Sequence, residues 1–368
     1  MRRLVVFPSD PISAYLEVGL SYDYLEDYYN PKGYFDEVYL LGIWKEKHKW
    51  GRITYICSEI GCMKNIIEEI KPVVIRAYGA YISSDIAQVS KKKGIPIIVS
   101  VHDTNPDLIY DSLGYADYII CMTEAVRKAV EDRIVFDAKR IWVMPNRINE
   151  NIMKKCFDEE LFARLDDQFQ HKKHILHVGR KVEQKNLDTV IKAMQYLDKD
   201  VSAIFVGGGA DGKYRTLAKE CGVIDQCYFV ESVKNEELAY WYSWCDCFCT
   251  PSRWEGFGFV FIEAAACETP IITSNIEPMN EFLTDGLNAV LVDDYENPKI
   301  IAEAIRKVLN GGSNIDQMCK EARNVGLRFS KDKIDRQEVN IYKYVIEQGV
   351  CSKFAPWILR KKWERKYR

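Results

Sequence analysis

The sequence lacks long hydrophobic runs and any marked excess of charge, and its start does not predict a secretory leader. No run approaches the ~18 apolar residues that a membrane-spanning helix needs. Lys and Arg number 51 and Asp and Glu 54, a net charge of −3, which disfavours a nucleic-acid coat protein. The start, MRRLVVFPSDP, has four apolar residues before Pro8, too few for a signal peptide. These absences predict a cytoplasmic globular protein.

Paired-cysteine motifs are also missing, although the chain has twelve cysteines. Without a CxxC motif or a leader, we expect reduced thiols. Cys245, Cys247 and Cys249 alternate with period two, so a strand would place all three on one face. Zinc sites usually pair their ligands across turns. Buried core thiols are therefore the favoured interpretation over a metal site.

The three histidines at 171, 174 and 177 are the other group with a metal-like spacing. On a helix they would converge on one face. Residues 175–178 have the pattern of a strand, however, which would place His174 and His177 on opposite faces. The sequence therefore predicts no metal ion and no other cofactor.

Length and apolar patterning predict two α/β domains. The 368 residues suit two domains of about 150 residues. Short apolar runs alternate with amphipathic ones, which is typical of parallel sheets covered by helices on both faces. The predicted strands are 4–7, 37–41, 53–57, 73–76, 97–101, 118–121, 141–144, 175–178, 203–206, 227–230, 246–250, 271–273 and 289–292.

The predicted domains are Rossmann-like and doubly wound, with a cleft expected between them at the carboxyl ends of the strands. The N-terminal domain spans 1–148 and the C-terminal domain spans 173–330. Residues 149–172 are polar and predict a linker with a helix. Residues 331–368 follow as a separate segment.

The end of that segment is basic and aromatic. Residues 353–368 hold seven Lys or Arg, one Glu, and two tryptophans. Such a tail could lie on an anionic membrane surface, giving a peripheral location at its inner face. The alternative is a terminal helix whose apolar side packs on the protein. Both interpretations remain open.

A glycine-rich turn offers one nucleotide-binding hypothesis. Gly207 to Gly212 contains GxGxxG after a predicted strand, and Glu231 ends the next strand. This resembles a dinucleotide fingerprint, in which glycines approach the pyrophosphate and the acid binds ribose. The motif follows the second strand of its domain rather than the first. Nicotinamide binding therefore stands as an alternative, beside a simple tight turn.

A stronger motif is PSRWEGFGFVFIE, from Pro251 to Glu263. Gly256 and Gly258 allow a ligand to approach the backbone, and the free amides at a helix start bind anions. Glu255 and Glu263 flank that turn. Two carboxylates beside a phosphate cradle suit a ligand with a phosphate and hydroxyl-rich ends, as in a sugar nucleotide.

A second cluster, VGRKVEQKN, follows the first strand of the C-terminal domain. Arg180 and Lys185 flank its turn. Arginine suits fork-like recognition of phosphate oxygens, and lysine supplies a point charge. The carboxyl ends of strands in doubly wound sheets are where ligands bind. The cluster adds cations to the predicted phosphate site.

Residues 174–293 resemble the donor-binding domain of retaining glycosyltransferases of family 4, which have the GT-B fold. The resemblance rests on HVGRKVEQKNLDTVIKAM and on PSRWEGFGFVFIEAAACETPIITSN, with its E-x7-E segment. IPIIVSVHD, ending at His102 and Asp103, resembles a strand of the family's N-terminal domain. The sequence departs from the family at the glycine-free loop 8–13, at Glu231 and at Asn186.

The resemblance implies donor contacts. Arg180 and Lys185 would hold the diphosphate, and Glu263 would bind the ribose hydroxyls. Gly256, Phe257, Gly258 and Phe259 would give backbone contacts to sugar and phosphate. The donor would be a nucleotide-diphosphate sugar, bound without a metal.

The resemblance also implies catalytic residues and an acceptor. Glu255 would lie beside the transferred sugar, and His102 would line the reacting centre. The acceptor would be a glycan or a lipid-linked molecule, in surface polysaccharide or glycoconjugate synthesis. The segment around 332–347 would cross back to the N-terminal domain. A sugar-nucleotide epimerase of similar fold and a non-catalytic partner subunit that binds sugar nucleotides are the alternatives.

Overall fold

The protein is described by a computed structural model over residues 1–17, 19–46, 49–89, 91, 94–311, 313–351, 361–362 and 365–366. Contacts divide the chain into two units, Met1–Pro145 with Asp332–Arg368, and Asn146–Lys331. In the described part of the chain, no helix combines the length and apolar character needed to cross a membrane.

The first unit contains an eight-stranded sheet in the order β3-β4-β2-β1-β5-β6-β7-β8. Every pairing is parallel except that of β3 with β4. The chain leaves β1 on one side and returns on the other at β5, so the topological switch point lies between these two strands. The strands are β1 (Arg3–Phe7), β2 (Glu37–Gly42), β3 (Lys49–Trp50), β4 (Ile53–Cys57), β5 (Val74–Tyr78), β6 (Ile97–Val101), β7 (Tyr118–Cys121) and β8 (Ile141–Val143).

Helices of the first unit pack on this sheet through apolar faces. In α3, Ile60, Met63, Ile67 and Ile70 recur at helical spacing and are buried, which forms one wall of the core. The helices are α1 (Ile12–Glu17), α2 (Tyr22–Tyr29), α3 (Ile60–Ile70), α4 (Ile82–Val89), α5 (Glu124–Arg133) and, from the end of the chain, α14 (Lys331–Gln348).

The second unit contains a six-stranded parallel sheet in the order β11-β10-β9-β12-β13-β14. Its switch point lies between β9 and β12, which are neighbours in the sheet. The strands are β9 (Lys173–Val178), β10 (Val201–Val206), β11 (Cys227–Val230), β12 (Cys247–Thr250), β13 (Ile271–Ser274) and β14 (Val290–Val292). The helices are α6 (Glu159–Phe169), α7 (Leu187–Ala193), α8 (Gly212–Glu220), α9 (Asn235–Trp244), α10 (Phe259–Ala266), α11 (Met279–Phe282), α12 (Pro298–Leu309) and α13 (Ser313–Gly326).

The domain limits drawn from sequence differ from this division mainly over 146–172, because the first unit ends at Pro145 rather than at 148. Residues 149–172 form part of the second unit rather than a free linker. Their helix α6 starts at Asp158, whose carboxylate accepts from the Leu161 amide at 2.9 Å. Leu165 and Phe169 are buried. The Phe169 ring packs edge-on to Tyr228 with centroids 5.0 Å apart, which anchors the helix.

The predicted basic tail falls mainly outside the described residues, at 352–360, 363–364 and 367–368. Four of its charged residues lie in the described part: Lys361, Lys362, Arg365 and Lys366. Lys366 Nζ is 3.9 Å from Asp85 Oδ2 and 4.4 Å from the Tyr110 ring centroid. Peripheral membrane contact therefore stays a prediction.

Candidate functional site

The candidate site is built on the switch point of the second sheet. Because β9 and β12 are parallel neighbours, the segments that follow them, 179–186 and 251–258, emerge at the same edge. These are the two motif-bearing segments of the sequence. The fold therefore brings together residues that lie about 70 positions apart.

Hydrogen bonds join the two segments. The Arg253 amide donates to the Gln184 carbonyl at 2.8 Å, and the Gln184 amide group donates to the Trp254 carbonyl at 2.9 Å. Asn186 Nδ2 donates to the Pro251 carbonyl at 2.9 Å. The Asn that replaces the family's glycine at 186 adopts a left-handed φ of 55°, which asparagine tolerates. These hydrogen bonds, which involve both backbone carbonyls and side chains, fix the position of the two segments relative to each other.

A nearly buried ion pair lies at the centre of this edge. Lys185 Nζ is 2.6 Å from Glu255 Oε1, and their side chains are 12% and 6% exposed. Ser252 Oγ donates to the same carboxylate oxygen at 2.7 Å. Gly179 makes room for the lysine, because a Cβ there would lie 3.0 Å from Lys185 Cε. The pair is shielded from water, so a ligand that displaces Glu255 from Lys185 would meet a strong local charge.

Glu263 lies on α10, which begins after Gly258 at a φ of 79°. Its side chain is buried and accepts a hydrogen bond from the Tyr242 hydroxyl at 3.1 Å. Burial raises the pKa of Glu263 to about 7, while the Tyr242 hydrogen bond and the Lys185 charge oppose that rise. Lys185 therefore acts electrostatically on both site carboxylates.

A buried aromatic side chain fixes the backbone of the turn before α10. The Phe257 ring is buried and packs against Phe329 and Phe282, with centroids 5.6 and 6.2 Å away. A Cβ on Gly258 would lie 2.6 Å from Met279 Cε, so the glycine is required by packing as well as by φ. Phe259 then opens α10. The side chains anchor the turn.

The two remaining predicted polar residues, Arg180 and His102, lie in the second and the first unit respectively. Arg180 follows Gly179 at the same edge of the second sheet and is exposed. His102 follows β6 in the first unit, and its Nε2 is buried without a hydrogen-bond partner. Burial, followed by the charge of Arg76, lowers the pKa of His102 to about 4, so its ring is neutral near pH 7.

The glycine-rich turn has a structural explanation. Gly207 follows β10, away from the switch point, and a Cβ there would lie 2.1 Å from the Gly179 carbonyl oxygen. The Lys181 ammonium donates to the Gly207 carbonyl and, at 2.7 Å, to that of Val230. Glu231, the residue after β11, is exposed. Gly207 and Gly209 allow close packing of the turn against the 179–181 segment.

The histidines near β9 also have structural contacts. His177 is buried, and its Nε2 lies 2.9 Å from the Lys185 carbonyl oxygen, beneath the turn that carries the site lysine. His174 Nδ1 lies 2.9 Å from Ser202 Oγ. Within the described ranges, no group of three or more His, Cys, Asp or Glu is placed to hold a metal ion.

Comparison with known proteins shows which family a large segment of the chain resembles. Residues 162–325 match the family described as glycosyl transferases group 1. We call this matched segment the group 1 domain. The chain is 26% identical to an uncharacterized glycosyltransferase of Methanocaldococcus jannaschii, over 77% of each chain. It is 30% identical to a D-inositol 3-phosphate glycosyltransferase of Xylanimonas cellulosilytica, over 46% of this chain and 41% of that protein.

Solved structures establish the fold around the group 1 domain. Anabaena HepE, crystallised with UDP, superposes with a TM-score of 0.75 at 17% identity, covering 94% of this chain and all of HepE. Sucrose-phosphate synthase of Thermosynechococcus elongatus superposes with a TM-score of 0.73 at 18% identity, covering 95% and 100%. The chain therefore has the GT-B fold, as the sequence motifs predicted.

The group 1 domain contains all the predicted donor residues, whereas His102 lies outside it. Sequence reasoning missed three supporting residues, namely Ser252, Tyr242 and His177. Ser252 stands in the recognised motif, three positions before Glu255, so its hydroxyl was a detectable signal. His177 is the first residue of the recognised HVGRK motif, but its contact with the Lys185 turn could not be predicted from it. Tyr242 carried no local signal, because tertiary packing alone brings it to Glu263.

Proposed function

We propose that the chain is a retaining glycosyltransferase that moves a sugar from a nucleotide-diphosphate sugar to a glycan or lipid-linked acceptor. The carrying observation is the position of Lys185 against Glu255, with Glu263 close by, at the switch point of the group 1 domain. The fold and family support glycosyl transfer. The retaining course and the acceptor class rest on the resemblance to family 4.

In this proposal, the donor diphosphate draws the cations of Lys185 and Arg180 to itself. Lys185 is already desolvated, so its charge acts on phosphate oxygens through a medium of low polarity. The amides at the start of α10 add partial positive charge. Glu263 accepts hydrogen bonds from the ribose hydroxyls. These groups fill the role of a divalent ion in neutralising the leaving diphosphate.

The transfer step requires negative charge to be stabilised as the bond from sugar to phosphate breaks. Fixed cations and amides supply that stabilisation without reorganising in the transition state. Glu255, displaced from Lys185, would orient the transferred sugar. His102, neutral near pH 7, could accept a hydrogen bond at the reacting centre. Retention without a covalent intermediate would follow from attack by the acceptor on the face that the diphosphate leaves.

The experiment is a calorimetric and thermal-shift panel of sugar nucleotides with EDTA present, on wild type, Arg180→Ala and Glu263→Gln. Lys172→Ala is the matched control, since Lys172 is a surface cation of the same unit with an 83% exposed side chain. We expect one sugar nucleotide to stabilise wild type and control, with at least tenfold weaker binding in the two site variants. A sugar-nucleotide affinity that is unchanged by both substitutions would refute the site assignment.

Turnover then separates the competing functions. A transferase releases nucleoside diphosphate rapidly only when an acceptor is added. An epimerase would change the sugar without an acceptor, and a partner subunit would bind the sugar nucleotide without turnover. Loss of binding in EDTA, restored by Mg²⁺, would contradict the metal-independent part of the proposal.

A further inference from the structure

One arginine, Arg253, lies between the two segments that form the candidate site. It stands two positions before Glu255, and its backbone amide donates to the Gln184 carbonyl of the other segment. An arginine in this place can serve in two ways. It can contact the donor diphosphate directly, or it can hold the two segments in position for other residues. The contacts of its side chain decide between these roles.

The Arg253 guanidinium makes a two-point contact with Asp188 on α7. Its Nη1 donates to Asp188 Oδ1 at 3.1 Å, and its Nη2 donates to Asp188 Oδ2 at 3.0 Å. Two parallel hydrogen bonds of this kind fix direction as well as distance. Burial works against the charged form of Asp188, but the hydrogen bonds and the charge of Arg253 outweigh burial and hold the pKa of Asp188 below its usual range. The contact is therefore an ion pair of defined geometry.

Two further hydrogen bonds connect the guanidinium to other parts of the sheet edge. Nη1 also donates to the Glu183 carbonyl at 2.7 Å, within the 179–186 segment. Nε donates to Glu296 Oε1 at 2.8 Å, in the loop after β14. One side chain thus connects the segments that follow β9, β12 and β14. We name these four residues the Arg253 clamp: Glu183, Asp188, Arg253 and Glu296.

The clamp occupies most of the hydrogen-bonding capacity of Arg253. Four of the five N–H groups of its guanidinium donate to protein oxygens. Two carboxylates neutralise its charge, and its side chain is 17% exposed. To bind a diphosphate, Arg253 would have to leave Asp188, Glu296 and the Glu183 carbonyl together. Lys185 has only to exchange the carboxylate of Glu255 for phosphate oxygens.

The clamp also determines where the Lys185–Glu255 pair lies. Lys185 comes between Glu183 and Asp188 in the sequence, so the guanidinium holds the chain on both sides of the site lysine. Glu255 follows Arg253 by two positions. A shift of about 1 Å in a binding group can cost about a hundredfold in activity. A residue that fixes both members of the pair therefore has a large effect without contacting the donor.

We propose that Arg253 is a positioning residue for donor binding, which acts through Lys185 and Glu255 and does not itself contact the diphosphate. The inference rests on the proposed function, because it assigns a role in the donor site of that reaction. The fork of the guanidinium is what the role requires. A lysine at 253 would keep the charge but would lack the two arms that grip Asp188.

The first test uses Arg253→Lys, with Arg306→Lys on α12 as the matched control. Arg306 is exposed, and its Nη2 donates to the Tyr196 carbonyl at 3.1 Å. Titration calorimetry, with the sugar nucleotide that stabilises wild type in the panel above, gives the dissociation constant and the fraction of active sites separately. We expect the dissociation constant to rise about tenfold or more in Arg253→Lys, with the fraction of active sites near that of wild type and control.

The calorimetric fraction of active sites separates positioning from a purely structural role. If Arg253 served stability alone, Arg253→Lys would reduce the fraction of active sites, and the remaining sites would bind the sugar nucleotide with the wild-type dissociation constant. That result overturns the inference. The double variant Arg253→Lys, Asp188→Asn should bind no more weakly than Arg253→Lys, because both substitutions break the same contact.

The second test removes one carboxylate of the clamp at a time and does not depend on the folding of Arg253→Lys. If Arg253 bound the diphosphate itself, Asp188→Asn and Glu296→Gln would release its charge and strengthen binding. As a positioning residue it loses a partner, so binding should weaken, about tenfold in Asp188→Asn. The loss should be about threefold in Glu296→Gln, because the Glu296 side chain is 64% exposed.

Failure of this inference is distinguishable from failure of the proposed function. Unchanged or stronger sugar-nucleotide binding in Asp188→Asn and Glu296→Gln overturns the positioning role of Arg253, while binding by wild type upholds the proposed function. Failure of wild type to bind any sugar nucleotide would instead refute the proposed function itself.

Discussion

At the scale of single residues, substitutions in the Lys185–Glu255 pair can separate its effect on protein stability from its effect on donor binding. Lys185→Ala leaves a carboxylate that is 6% exposed without its cation, and breaking a buried pair in this way costs about 3–5 kcal/mol. The double variant Lys185→Ala, Glu255→Gln removes that stranded charge. We expect urea unfolding to show a large loss in the single variant and partial recovery in the double. Calorimetry should show donor binding lost in both; recovery of binding in the double would contradict the role of Lys185.

Glu263 gives a pH prediction at the same scale. Its pKa is 4.5 in its ordinary state and about 7 in the folded protein. Between these values the folded state holds more protons than the unfolded state, so the free energy of unfolding falls as pH rises. The fall should be on the order of 3 kcal/mol between pH 5 and pH 8. We expect Glu263→Gln to lack this component in urea titrations at the two pH values, and an unchanged difference would contradict the assignment.

The sequence motifs indicated which residues are site candidates, but not the surroundings of those residues in the fold. The E-x7-E spacing and the Arg–Lys turn indicated Glu255, Glu263 and Lys185 as candidate site residues, and their roles stay predictions. The pairing of Lys185 with Glu255 could not be predicted, because it depends on β9 and β12 becoming neighbours. The elevated pKa of Glu263 likewise depends on burial under Tyr242.

At the scale of elements, the position of α10 depends on one glycine of α13. A Cβ on Gly326 would lie 2.8 Å from the backbone nitrogen of Ala266 on α10. Alanine usually stabilises a helix by up to about 1 kcal/mol over glycine, but here it must displace a backbone. We expect Gly326→Ala to lower stability and weaken donor binding through Glu263. Gly61→Ala on α3 meets nothing within 4 Å and should leave both unchanged or slightly improved. Similar effects from the two substitutions, read by thermal unfolding and calorimetry, would contradict this packing argument.

The same scale shows why most elements were predictable. Central parallel strands are buried on both faces, so they read as continuous apolar runs such as Ile97–Val101. Every strand predicted from such a run is present. The missed strand, β3, is a two-residue antiparallel pairing of Lys49–Trp50, which is too short for any period to show. Helix α6 was predicted from the sequence. Its packing against the second unit was not predicted, because that packing depends on two buried side chains, Leu165 and Phe169.

At the scale of the whole molecule, each unit has its own stabilising pair and should respond separately. Arg76 and Glu338 tie α14 to the first unit, with both side chains 1% exposed and their atoms 3.5 Å apart. Glu338→Ala should cost the first unit about 3–5 kcal/mol. Calorimetric scans should then show an earlier first transition, while a bound sugar nucleotide raises the transition of the second unit. Retained donor affinity is the control, and equal shifts of both transitions would contradict independence of the units.

The order of synthesis gives the Arg76–Glu338 pair a further consequence. The first unit begins at the start of the chain, but it gains Glu338 only after all of Asn146–Lys331 has been translated. At typical rates, the interval between Pro145 and Glu338 on the ribosome lasts roughly 10 to 40 seconds. During that time Arg76 lacks Glu338, its ion-pair partner in the folded first unit. The second unit is one continuous stretch of chain and can fold before the first unit is complete. The first unit, although it is translated first, would then finish folding last. We expect a chaperone that binds nascent chains to act on the first unit.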